Sequence, residues 1–163
     1  MRNFNRDFKK SGFTIVEVLI SLGVIVLVAS LAVDGFLKFQ RNQGLDKTAN
    51  RVVTLIQKAR YQTLSSKNNL RYGVHFASDQ AVLFAGSYAT GTAGNEVYLF
   101  DPFLTLSLIG LRATTTNASS TDLIFTKFTG EANATGTLRF SLAASTTQTK
   151  TVTIYGTGLI ESN

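Results

Sequence analysis

The chain has no cysteine and no tryptophan, and only one proline, one histidine and one methionine among 163 residues. Without cysteine there is no disulfide framework, no thiolate metal cluster and no cysteine nucleophile. A lone His75 excludes any site built on two imidazoles, and on its strand-like segment it reads as an exposed structural histidine. Charge is scarce as well, 16% of residues against 44% hydrophobic, which is too apolar for a disordered chain. The carboxylates Asp79, Glu96, Asp101, Asp122 and Glu131 fall in separate turns, without the D-x-D-x-D clustering of a calcium loop. No Gly-Lys-Ser phosphate loop occurs, and no Ser-His-Asp order can be assembled around one histidine. The expectation is a single non-enzymatic domain with no cofactor and no metal.

The charges that are present lie unevenly. Arg2, Arg6, Lys9 and Lys10 face only Asp7 in the first twelve residues, and residues 38–71 carry eight Lys and Arg against Asp46. Between these basic segments, Phe13 to Val33 reads FTIVEVLISLGVIVLVASLAV, with Glu17 its one charge. As a helix this run spans about 31 Å, the thickness of a bilayer's hydrocarbon core. A core helix of a soluble protein seldom stays apolar on every face for so long. A secretory signal has a shorter apolar region, of ~7–15 residues, and an A-x-A-like site that is missing here. Four Lys and Arg precede the span, and Lys38, Arg41, Lys47 and Arg51 follow it, so charge leaves the orientation tied. Because long following domains translocate largely regardless of charge, the expected orientation puts the N-terminus inside. A carboxylate in such a span is costly, which marks Glu17 as functional with a positive partner to be found.

The residues around Glu17 read Lys9-Lys10-Ser11-Gly12-Phe13-Thr14-Ile15-Val16-Glu17-Val18-Leu19-Ile20. This K-x-G-F-T-x-x-E-V-L-I pattern resembles the prepilin-type signal of type IV pilins and type II secretion pseudopilins. The resemblance implies that a prepilin peptidase cuts between Gly12 and Phe13 and that Phe13 is then methylated. Physical reasoning fits the spacing. Cleavage creates an α-ammonium at Phe13, and Glu17 follows one helical turn later on the same face. An amine and a carboxylate, each costly in lipid, then neutralise one another within a chain or between chains.

Beyond the span, Leu45, Ala49, Val52, Ile56 and Ala59 recur at helical spacing, while Lys47, Arg51 and Lys58 share the opposite face within about 40°. One helix is expected from Phe13 to about Ser65, with Gly35 as its weak point, since the only proline is Pro102. From Leu70 the period becomes two, with Leu70, Tyr72, Val74 and Phe76 on one face. Further strands are expected at 81–85, 96–100, 104–111, 123–128, 137–142, 151–155 and 159–160. Arg112–Asp122 reads as a polar surface loop, and Asn117-Ala-Ser119 and Asn133-Ala-Thr135 match glycosylation sequons.

The whole layout is similar to the GspH/FimT group of minor pseudopilins and minor pilins. Residues 52–76 resemble that group's helix end and first strand, with Ala59-Arg60 present but Thr63 where a small apolar residue is usual. The expected fold class is α+β, pilin-like. It comprises a cleaved leader over 1–12, a transmembrane and assembly helix over 13–33, an amphipathic continuation over 34–66, and a β-rich domain, mostly antiparallel, over 67–163. The expected function is that of a structural subunit of a type IV pilus or type II secretion pseudopilus. Its partners would be the prepilin peptidase, other pilin subunits and the inner-membrane assembly platform, with membrane lipid before assembly. The Lys47, Arg51 and Lys58 face reads as solvated surface, or as a contact for acidic headgroups or a neighbouring subunit. The alternative is a DNA-binding minor pilin for natural transformation. Nucleic acid is the minority reading, because the chain ends Gly158-Leu-Ile-Glu-Ser-Asn163 without the basic residues that DNA-capturing relatives carry there. A third reading, a bitopic envelope protein outside any filament, would make the signal resemblance fortuitous.

Overall fold

Thr14 sets the start of the long helix. In the computed structural model, which describes residues 12–143 and 145–163, helix α1 spans Ile15–Leu64 and continues through Gly35. The Thr14 hydroxyl accepts the Glu17 N–H at 3.2 Å, and the Thr14 carbonyl accepts the Val18 N–H at 3.2 Å. This is an N-cap that satisfies donors the helix itself leaves free. The chain forms two compact units, Met1–Phe39 and Gln40–Asn163, and α1 contributes to both.

In the second unit, the stripe Leu45, Ala49, Val52, Ile56 and Ala59 is buried, as its spacing predicts. It joins one core with side chains from two antiparallel sheets. The first sheet has the order β3-β2-β1-β6, built from β1 (Tyr72–Phe76), β2 (Gln80–Ala85), β3 (Glu96–Leu99) and β6 (Asp122–Ile124). The second has the order β5-β4-β7-β8-β9, built from β4 (Leu104–Ala113), β5 (Ser119–Ser120), β7 (Ala134–Leu142), β8 (Ser145–Ile154) and β9 (Ile160–Ser162). Phe100 stacks edge-on against Phe140 at 5.6 Å and ties the sheets together through the core. The fold is α+β, a long N-terminal helix packed on antiparallel sheets.

Several elements differ from their sequence expectation, each for a local reason. Leu70 is 42% exposed and precedes β1, because Ser66, Asn68 and Asn69 adopt left-handed backbone and turn the chain there. β7 begins at Ala134, three residues before the expected strand 137–142, and Gly136 lies against the Gly110 carbonyl. A Cβ at Gly136 would sit 2.0 Å from that oxygen, so only glycine lets β4 and β7 approach. β8 starts at Ser145, within a polar threonine-rich run, and its ladder to β7 rather than hydrophobic patterning makes it a strand. β5 lies inside the expected loop 112–122, paired with Leu111 and Arg112. The strand expected over 123–128 ends at Ile124, and Phe125 makes only an isolated bridge to Ala132.

Arg60 fastens the end of α1 to the last turns of the chain. Its Nε donates to the Gly130 carbonyl at 3.0 Å and its guanidinium to the Thr157 carbonyl at 3.2 Å. Gly158, at φ +78°, lets this approach occur: a Cβ there would lie 2.2 Å from the Gly130 oxygen and 2.6 Å from Arg60 Nε. Thr63, one turn after Arg60, accepts the Tyr72 N–H at 2.9 Å and donates to the Ala59 carbonyl at 3.0 Å. The hydroxyl at a position usually small and apolar thus anchors the start of β1. Next to this turn, the Glu161 carboxylate accepts the Tyr155 hydroxyl at 3.1 Å and pushes that phenol above its usual range.

Replacing Arg60 by Ala removes two charge-assisted bonds to carbonyls, worth about 2 kcal/mol. The expected outcome is a Tm lowered by about 4–8 °C in thermal unfolding followed by circular dichroism. Arg60→Lys should recover little, because an ammonium cannot reproduce the fork.

Candidate functional site

The N-terminal region carries the chemistry suggested by the sequence, and its geometry starts from the cap. Gly12, Phe13 and Thr14 are exposed and precede the first helical residue, so the Gly12–Phe13 bond lies in non-helical backbone. The basic leader, including Lys9 and Lys10, falls outside the described residues. A Cβ built on Gly12 meets nothing within 4 Å, so the fold itself does not require glycine there. Glu17 sits in the first turn, where the helix dipole favours a carboxylate. With Thr14 as the cap, Thr14-Ile-Val-Glu17 has the sequence spacing of a capping box, of which the structure shows the Thr14 half.

From this cap to Phe39, the described apolar side chains of α1 are exposed. Phe13 is 81% exposed and Ile15 79%. The helix is long and apolar enough to cross a membrane. Its two serines are satisfied locally, Ser21 donating to the Glu17 carbonyl at 2.7 Å and Ser30 to the Leu27 carbonyl at 2.8 Å. No hydroxyl of the run therefore needs water.

The second candidate surface is the basic face of α1. Lys47, Arg51 and Lys58 are all exposed, as their spacing predicts, but β3 engages two of them. The Lys58 ammonium pairs with the Glu96 carboxylate. The Arg51 guanidinium lies over the Tyr98 ring, 5.9 Å from its centroid. Lys47 lines one cavity with Asp101 and Phe103 and another with Arg51 and Tyr98. The face is therefore one wall of a groove whose other wall is β3.

Elsewhere the structure corrects one reading. His75 is half-buried rather than exposed. Its Nδ1 lies 2.5 Å from Asp122 Oδ1, and its ring stacks on Tyr88 at 3.8 Å. The register that pairs His75 with Asp122 across β1 and β6 makes this contact, and 47 residues of separation hide it from sequence periodicity. Asn133, one of the two sequon asparagines, uses its Oδ1 to accept the Ile124 N–H at 2.7 Å and caps the edge of β6.

A family model for the prokaryotic N-terminal methylation motif matches residues 7–33. A second, described as type II transport protein GspH, matches residues 48–158, more than half of the chain. The chain belongs to the GspH family. Among solved structures it is similar to the type IV minor pilin FimU of Pseudomonas aeruginosa (strain PAO1), at 15% identity and a TM-score of 0.53. That match covers 77% of this chain and 92% of the other, and at this identity it shows the fold. No curated protein matches the chain. The likeness read from K-x-G-F-T-x-x-E-V-L-I is thus borne out. A GspH-family chain with this motif is a structural subunit of a pilus or pseudopilus, carrying an apolar N-terminal helix suited to membrane anchoring and assembly.

Because the Lys58–Glu96 pair is roughly two-fifths exposed on both sides, it contributes little to stability. Lys58→Ala should shift the midpoint of chemical unfolding by less than the equivalent of about 1 kcal/mol. A larger loss would mean that the basic face is a structural element of the GspH-type domain.

Proposed function

We propose that this GspH-family chain is a minor pilin or pseudopilin, inserted in the bacterial inner membrane with its N-terminus cytoplasmic and its β-rich domain on the far side. The prepilin peptidase cuts between Gly12 and Phe13 and methylates Phe13. The observation that supports this most directly is the bare apolar helix that starts two residues after that bond. Lipid covers this surface before assembly, and the helices of other subunits, received at the inner-membrane assembly platform, cover it afterwards. Gly12 serves the peptidase rather than the fold, since its surroundings leave room for a side chain. Glu17 meets the new ammonium at Phe13 of its own or an adjacent chain and sets axial register, while the cap at Thr14 holds the turn that presents it. Capture of DNA draws little support from the basic face, where the Lys58 ammonium is already paired with Glu96.

Two measurements test this reading. Intact mass of the membrane-derived protein should show loss of residues 1–12 and gain of one methyl group, and Gly12→Leu should abolish both without lowering domain stability. Recovery of only the full-length chain from a host that has the peptidase would overturn the processing step. Glu17→Gln should insert and be cleaved normally, yet co-purify with other filament subunits at least about tenfold less than wild type, the equivalent of 1.4 kcal/mol of lost assembly energy. Equal co-purification would leave Glu17 with its capping position alone.

A further inference from the structure

β3 is an outer strand of its sheet, and its outer edge differs from the others. Phe100 donates to the Asp79 carbonyl at 2.8 Å, and β3 pairs Tyr98 with Ala81 and Glu96 with Leu83. In an antiparallel ladder, residues 96, 98 and 100 therefore exchange bonds with β2, while Val97 and Leu99 direct their N–H and C=O groups away from it. The side chains alternate in the same way. Glu96 and Tyr98 turn toward α1, where Lys58 and Arg51 meet them. Val97 and Leu99 turn to the other face and are 53% and 64% exposed.

The remaining sheet edges are blunted. β6 is covered by Asn133, which bonds Ile124 from both its side chain and its backbone. β5 is two serines, and β9 carries Glu161. Only β3, among the described edges, joins unpaired backbone groups to exposed apolar side chains, a combination that proteins ordinarily avoid. Between it and α1 lie cavities of about 390 and 480 Å³, lined by Tyr98 and Glu96 of β3, and a third of about 460 Å³ is lined by residues of α1 with Asp101 and Phe103. Arg51 and Thr54 line the first, Lys58 and Lys67 the second, and Gly44 and Lys47 the third. From Lys47 to Lys58 the helix advances ~16 Å, the length of about five extended residues.

We infer that the groove between α1 and β3 is a binding site for an extended segment of a different polypeptide, which adds to the sheet as a strand beside β3. Its recognition code follows from the register. Side chains on one face of the added strand pack beside Val97 and Leu99 and are apolar. Those on the other face point at Arg51, which touches the Tyr98 ring and has no carboxylate partner among the described residues, and are acidic. The partner segment thus alternates apolar and acidic residues over about five positions, with backbone bonds supplying affinity and the basic helix face supplying selectivity. This site is independent of the helix N-terminus, so the site and the filament reading stand or fall separately.

The probe is a dye-labelled heptapeptide of alternating valine and glutamate, titrated against the full chain in detergent micelles and read by fluorescence anisotropy. It should bind saturably and at least about tenfold tighter than its valine–lysine counterpart, with amide exchange slowed at Val97 and Leu99. Val97→Pro deletes an outward N–H without touching the ladder to β2, so it should keep the circular dichroism of wild type and lose about tenfold in affinity. Arg51→Glu should invert the preference between the two peptides. Methylating alternate peptide nitrogens should abolish binding with no change to the protein, which tests the backbone pairing even if Val97→Pro folds poorly. Equal binding of both peptides, retained binding of the methylated one, or β3-mediated dimers in place of peptide binding would each overturn the inference.

Discussion

From Ile15 to Leu64 the backbone of α1 satisfies its own hydrogen bonds, and this self-sufficiency lets one element live in two surroundings. In the first unit its described apolar side chains lie on every face and are exposed. In the second, a single apolar stripe is buried and the opposite face carries Lys47, Arg51 and Lys58. The change of pattern costs the backbone nothing, because a helix needs no partner to close its ladder. A strand in the same position would require a neighbour along its whole length. The cap at Thr14 is part of the same economy, since it closes the helix end beside the bond at which a peptidase would work.

The domain that follows is held by contacts of a different kind. Its sheets meet through aromatic packing, and its beginning and end are joined by polar bonds from α1. Arg60 and Thr63 lie one turn apart and serve opposite ends of the domain, one the closing glycine turn and the other the opening of β1. A polar side chain at each place is tolerated because every buried donor and acceptor it offers there is used.

How much of this was legible in the sequence depended on the range of the signal. The helix, its buried stripe and its basic face follow from spacings of three and four, and β1 follows from alternation at Tyr72, Val74 and Phe76. The motif from Lys9 to Ile20 indicated the family, because its residue types at fixed spacing are rare outside it. What escaped was set by partners far along the chain. His75 met Asp122 through strand pairing, β8 became a strand through its ladder despite a threonine-rich composition, and Arg60 found carbonyls at Gly130 and Thr157. The Thr14 cap is written locally as T-x-x-E, within the same residues that carry the membrane signal.

The bond from Arg60 to Thr157 spans 97 residues and has a consequence for timing. On the ribosome the apolar run emerges first and is ready for the membrane while most of the domain is still unmade. The end of α1 cannot be fully fastened until Thr157 has been synthesised. Because closing so long a loop must precede the contacts that reward it, the domain acquires its final packing late. Anchoring and folding are thereby ordered in time by the position of one arginine's partners in the chain.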